Sequence, residues 1–182
     1  MTQWCVSKTG MCASMTSKSE HFFVKKYIGK KMLAALVRKV PVMAALMALA
    51  GCVTDEPEER VAVGDPLPQF AVVLDTGETV TTELLLGRPG AIVFFNTACS
   101  DCRRELPEIQ KYYESVDSGD FRLICIAREE NAESIADYWK THNLTMPYSP
   151  QPDRSVFTLF ASQGIPRIYV FNAHGIITSA TL

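Results

Sequence analysis

The sequence predicts an α/β sandwich built on a mixed central sheet, and three observations carry that expectation. Apolar, β-branched runs such as "GAIVFFN" and "FRLICIA" alternate with stretches of helical spacing, the pattern of strands covered by helices. The chain then finishes in a strand pair, "RIYVFNAHGIITSA", turning at Asn172–Gly175, so its last strands pair antiparallel. Finally, 182 residues suffice for one domain with a proper core plus extra segments.

The elements follow in order. "QFAVVLDTGETVTTELLLG" reads as strand, turn, strand, because β-formers flank Asp75-Thr76-Gly77; it predicts an N-terminal β-hairpin extension. "GAIVFFN" is apolar without alternation, as expected of a strand buried on both faces. "SDCRRELPEIQKYYESV" places Leu106, Ile109 and Tyr113 on one helical side, with Pro107 expected to kink the helix by removing a donor. "FRLICIA" is the next buried strand and "NAESIADYWKTHN" the next amphipathic helix. "DRSVFTLFASQG" predicts a short helix ending at Gly164.

Charge separates the front of the chain from this domain. Of 18 basic and 20 acidic residues, 8 basic and one acidic, Glu20, precede Cys52, which leaves 10 against 19 and a formal net of −9. An acidic body argues against nucleic acid as a partner, since phosphates need a basic face. "KKMLAALVRKVPVMAALMALAGC" carries positive charge and then an apolar run from Val40 to Ala50, too short to span a bilayer but suited to a signal-peptide core. Leu49-Ala50-Gly51-Cys52 resembles a bacterial lipobox, which implies cleavage before Cys52 and its lipidation. Residues 32–51 are therefore expected to be a lipoprotein signal peptide starting at Met32. Residues 1–31 are expected to be a disordered or untranslated leader, residues 52–62 an acidic tether, and 63–182 the domain.

Six cysteines are present, but Cys99 and Cys102 stand apart because they follow a buried strand and open a helix. Three-residue spacing puts both sulfurs on one helical face, close enough for a disulfide. At Cys99 the free amides and the helix dipole favour a thiolate, while Cys102 lies one turn further in and is better shielded. Redox exchange, a structural staple and a metal site all use such a pair. Zinc would need four ligands, and the remaining candidates are Cys125, inside an apolar strand, and His142 and His174, both expected at the surface.

The order of motifs "VGDPLPQF", "DTGETV", "GRPGAIVFFNTACSDCRRELP", "PDRSVFTLFASQGIPRIYVFN" and "AHGII" resembles the thioredoxin superfamily. It is most similar to the membrane-anchored TlpA/ResA-type branch, which shares the AhpC/TSA-Redoxin profile. The likeness covers roughly residues 63–180. It implies a thioredoxin-like sandwich in which Cys99 is the nucleophile, Cys102 the resolving cysteine, and the two form the redox disulfide. It also implies that Pro166 is a cis-proline beside the pair, that Ile165 offers backbone groups to a bound peptide, and that Glu105 relays a proton. Three departures stand out. Ala98 replaces the usual Trp before the first cysteine, and Val93 occupies the place of the buried acid. The helix that normally closes the fold is missing before Leu182, so an apolar sheet face is expected to need another cover.

The resemblance implies an envelope enzyme, lipid-anchored to a bacterial membrane with its domain facing the periplasm. It would exchange, and more specifically reduce, disulfides of exported proteins such as apocytochrome c, drawing on an upstream membrane reductant and no cofactor. Two other readings share parts of the pattern. A peroxiredoxin-like thiol peroxidase would want a threonine three residues before its cysteine, where Asn96 stands. A copper-binding assembly module would use the two thiolates with His174.

Overall fold

The computed structural model describes residues 59–117 and 119–182. The leader, the signal peptide, Cys52 and the first part of the tether lie outside the described residues. The N-terminal extension is an antiparallel pair, β1 (Ala71–Val73) and β2 (Thr79–Thr81), followed at once by a short helix, α1 (Thr82–Leu85). Gly77 turns the hairpin at φ +83°, a conformation that favours glycine. The expected second strand is thus shorter than its apolar run. Thr81 caps α1 by accepting from Leu84 N, and the helix takes over "TELL".

The main sheet contains β3 (Gly90–Phe95), β4 (Arg122–Ala127), β5 (Tyr148–Ser149), β6 (Arg167–Phe171) and β7 (Ile177–Thr181), in the order β5-β4-β3-β6-β7. β3 runs parallel to β4 and antiparallel to β6, so the sheet is mixed as predicted. β3 is central and every residue in it is buried, which explains its unbroken apolar run. Helices α2 (Ser100–Ser115), α3 (Ala132–His142) and α4 (Phe157–Phe160) complete the layers.

Alternation along β3 divides its side chains between two cores. Ala91, Val93 and Phe95 face Leu106 and Ile109 of α2 and Ile135 and Trp139 of α3. Ile92 and Phe94 face Val72, Val80, Phe157 and Phe160 on the other side, with the Phe94 and Phe157 rings edge-on at 5.4 Å. α2 runs on through Pro107, and its buried stripe includes Tyr112 rather than the expected Tyr113. Tyr112 completes the 102, 106, 109 series at helical spacing and stacks edge-on against Phe121 at 5.7 Å. α4 ends at Phe160, short of Gly164, because Ala161 is extended and bridges to Glu59.

Two further expectations change. Glu59 to Val61, assigned to the tether, lie against the domain: Arg60 N donates to Phe160 O at 2.9 Å and Val61 is buried. The sheet face near the end of the chain is closed rather than open. Ile168 and Val170 of β6 are 5% and 0% exposed, and no large exposed apolar side chain among the described residues lies on β6 or β7. No described helix is long and apolar enough to cross a membrane.

Candidate active site

The site forms where β3 gives way to α2. After Phe95 the chain turns, with Asn96 Oδ1 accepting from Ala98 N at 2.8 Å and Asn96 O from Cys99 N at 3.1 Å. Cys99 is the N-cap of α2, and its Sγ accepts from Cys102 N at 3.5 Å, in the place of an ordinary capping oxygen. The helix therefore aims free amide charge at this sulfur. On its other side, Cys99 Sγ donates to Ile165 O at 3.7 Å. The Ile165–Pro166 bond is cis. Both cysteines are free thiols; Cys99 is half-buried and Cys102 wholly buried.

Burial pushes the Cys102 thiol up to about 12, helped by the neighbouring Cys99, while a backbone hydrogen bond from Asn96 and the charge of Arg128 pull the other way. Cys125, buried in β4, is raised further for the same leading reason and is a core residue. The pair is thus asymmetric: one sulfur is accessible and held by amide charge, the other is kept protonated behind it.

Glu105 lies one turn beyond Cys102 on α2, with its side chain 20% exposed and Arg104 Nε 3.9 Å from its carboxylate. A second acid, which the sequence did not single out, meets the site more directly. Thr97 N and Thr97 Oγ1 both donate to the Glu130 carboxylate, the former at 2.8 Å. Arg103 Nε donates to Thr97 O, so Thr97, two residues before Cys99, is held from both sides. Asn96 Nδ2 reaches Arg128 O at 3.0 Å, tying the same turn to the end of β4. The signal was topological: parallel strands bring the residues after their C-terminal ends together, and Phe95 is in register with Ala127. Tyr138 of α3 also borders the pair. Its buried hydroxyl has no hydrogen-bond partner, and burial raises it while Arg103 and Cys102 act on it in opposite senses.

His174 is not part of the site. It lies in the β6–β7 turn, and β6 starts beside Phe94 and ends beside Gly90, so His174 is at the opposite end of the sheet, on the order of 17 Å away. It cannot complete a copper site with Cys99 and Cys102. His142 is exposed on α3, stacked on Tyr138 at 3.9 Å. Among the described residues no three His, Cys, Asp or Glu side chains gather to hold a metal.

Against this geometry the comparisons with known proteins are consistent. The sequence model of the AhpC/TSA family matches residues 63–180, more than half of the chain, and the protein belongs to that family. It is a thioredoxin-superfamily member of the ResA-like kind, with a thioredoxin-like α/β fold. Among curated relatives, a nucleoredoxin of Arabidopsis thaliana is 29% identical over 116 residues, covering 62% of this chain and 20% of that protein. The thiol-disulfide oxidoreductase ResA of Bacillus subtilis is 20% identical over 118 residues, covering 65% of this chain and 66% of the relative. The chain therefore spans about a fifth and just under two thirds of these relatives. A solved structure of a candidate protein disulfide isomerase from Bacteroides thetaiotaomicron is 31% identical, with a TM-score of 0.64, covering 68% of this chain and 80% of that one.

Proposed function

We propose that this protein is a thiol-disulfide oxidoreductase that reduces disulfides of exported proteins in a bacterial cell envelope. The observation that carries the reading is the half-buried Cys99 Sγ between the α2 amides and the Ile165 carbonyl, with Cys102 shielded behind it. Cys99, as thiolate, attacks one sulfur of a substrate disulfide; that S–S bond breaks, and the departing substrate thiolate takes up a proton. Cys102 then loses its proton and attacks Cys99 Sγ, releasing the second substrate thiolate and leaving a Cys99–Cys102 disulfide. Glu105 accepts the Cys102 proton. Two electrons pass to the substrate, and an upstream membrane dithiol restores the pair. Ile165 and Pro166, beside Cys99, would offer backbone groups to the substrate peptide.

Lipidation at Cys52 would hold the domain at the membrane, facing the periplasm, within reach of substrates such as apocytochrome c. The peroxidase alternative loses support because the Asn96 amide is used on both sides to brace the turn. The test is trapping: Cys102→Ser should accumulate mixed disulfides through Cys99 in the envelope, identifiable after alkylation. A Cys99 that stays reduced, accessible and unlinked would sink the reading, and peroxide consumption by the wild type would revive the alternative.

A further inference from the structure

We propose that Glu59 and Arg167 are positioning residues: the segment 59–61 straps down the loop that presents Ile165 to Cys99. The proposal rests on the oxidoreductase reading above. Arg167 follows Pro166 and is 1% exposed, a fully buried guanidinium. Its Nε donates to Gln163 O at 3.0 Å, inside the loop, and its Nη1 donates to Glu59 Oε1 at 2.6 Å. The backbone repeats the attachment, since Glu59 bridges to Ala161 and Arg60 N donates to Phe160 O at 2.9 Å. The far side of the same loop touches Cys99, where the Sγ lies 3.7 Å from Ile165 O.

The physical coupling follows from the burial. A guanidinium sealed from water is costly without an anionic partner, and here Glu59, itself 40% exposed, supplies it. If Glu59 leaves, Arg167 must turn toward water, and its bond to Gln163 O goes with it. The loop then loses its inner tie, and the carbonyl of Ile165 loses its fixed place beside the sulfur. A peptide that docks its backbone on this loop depends on that place. A small aromatic disulfide, which needs only the exposed sulfur, does not. The strap therefore acts first on peptide binding, since Cys99 keeps its contact with the Cys102 amide and Cys102 keeps its shielding.

The experiment compares the full chain with its Glu59→Gln variant in reducing two probes, insulin and dithiobis(nitrobenzoate). Glu59→Gln should raise KM for insulin by about fivefold or more, while kcat and the rate with the small disulfide stay within about twofold. Arg167→Lys, which keeps charge but not the forked geometry, should show the same split in milder form. Equal losses on both probes, or an unchanged insulin KM with only a lowered melting temperature, would overturn the proposal. Should Glu59→Gln fail to fold, Glu59→Asp keeps the charge with a shorter reach and must show the split; its absence is equally fatal. A wild type that reduces neither probe would instead refute the oxidoreductase reading itself.

Discussion

The two ends of the central sheet are built from the same strands but settle their backbone groups differently. At the Gly90–Phe171 end the chain closes in tight turns, where Asn172 N donates to Ile176 O and Gly175 N to Asn172 O at 3.0 and 2.9 Å. Contact there is steric: a Cβ on Gly90 would come 2.5 Å from Arg122 O and 2.6 Å from Phe171 Cζ. Only Asn172, whose Oδ1 accepts from His174 N and Ile176 N, adds a side chain to that turn, whereas at the Phe95–Ala127 end several polar side chains do the closing. Glu130 takes Thr97, Asn96 takes Arg128 and Ala98, and Arg103 takes Thr97 O. A sulfur, Cys99, fills the capping position that an oxygen would normally hold. One end is locked by shape, and the other leaves a reactive atom in the hydrogen-bond network.

Substitutions can break this contrast, beginning with the largest effect. Cys99→Ser should reduce insulin reduction to the uncatalysed background, whereas His174→Ala, at the other end, should leave it within about twofold. The next test concerns Cys102. In a Cys99→Ser background at pH 8, iodoacetamide should alkylate Cys102 on the order of a thousandfold more slowly than an exposed cysteine, because burial holds its thiol near 12. The sign for stability follows. The unfolded thiol ionises near its ordinary value of about 8.5, so the reduced fold loses stability as pH rises from there through about 12. Urea midpoints that stay flat across that window would contradict the burial argument.

The steric end predicts a cost in stability and none in chemistry. Gly90→Ala should destabilise by about 1–3 kcal/mol, since the nearest clash is with a backbone oxygen, while the activity of each folded molecule is unchanged. Glu130→Gln keeps the shape of the acid but weakens the bonds from Thr97, for about 1 kcal/mol in urea unfolding. Unlike Gly90→Ala, it should also change the rate at which Cys99 is alkylated, because the turn it braces ends in that sulfur.

Much of this was legible in the sequence wherever a pattern repeats along one segment. β3 and β4 declared themselves by unbroken apolar runs, and α2 and α3 by spacing. β5 did not, because a two-residue strand is fixed by its parallel neighbour and carries no period of its own. α1 was hidden because Leu84 to Leu86 suit a strand as well as a helix, and the cap at Thr81 decided it. The same division runs through the site. Cys99 and Cys102 are local to one turn, so their spacing spoke for them. Glu130 reaches Thr97 only through strand register and a left-handed residue, Glu129 at φ 59°, which no spacing rule encodes. Arg167 was likewise unmarked: a charged residue in a buried strand becomes intelligible only once Glu59 is beside it.

The smallest effect belongs to Tyr138, and it sharpens the contrast most finely. Arg128 Nε, also buried without a hydrogen bond, still has the Glu129 carboxylate 3.7 Å away, but the Tyr138 hydroxyl is buried with no hydrogen-bond partner. Its ring is held independently by stacking on His142 at 3.9 Å, a contact phenylalanine preserves. Tyr138→Phe removes only the oxygen, which is desolvated and unpaid for by a hydrogen bond. Stability should hold or rise by at most about 1 kcal/mol in urea unfolding. A fall larger than that would mean the oxygen is bonded after all, through an ordered water next to Cys102 and Arg103. That outcome would place a proton-conducting group beside the shielded thiol and give the closed side of the pair a polar link of its own.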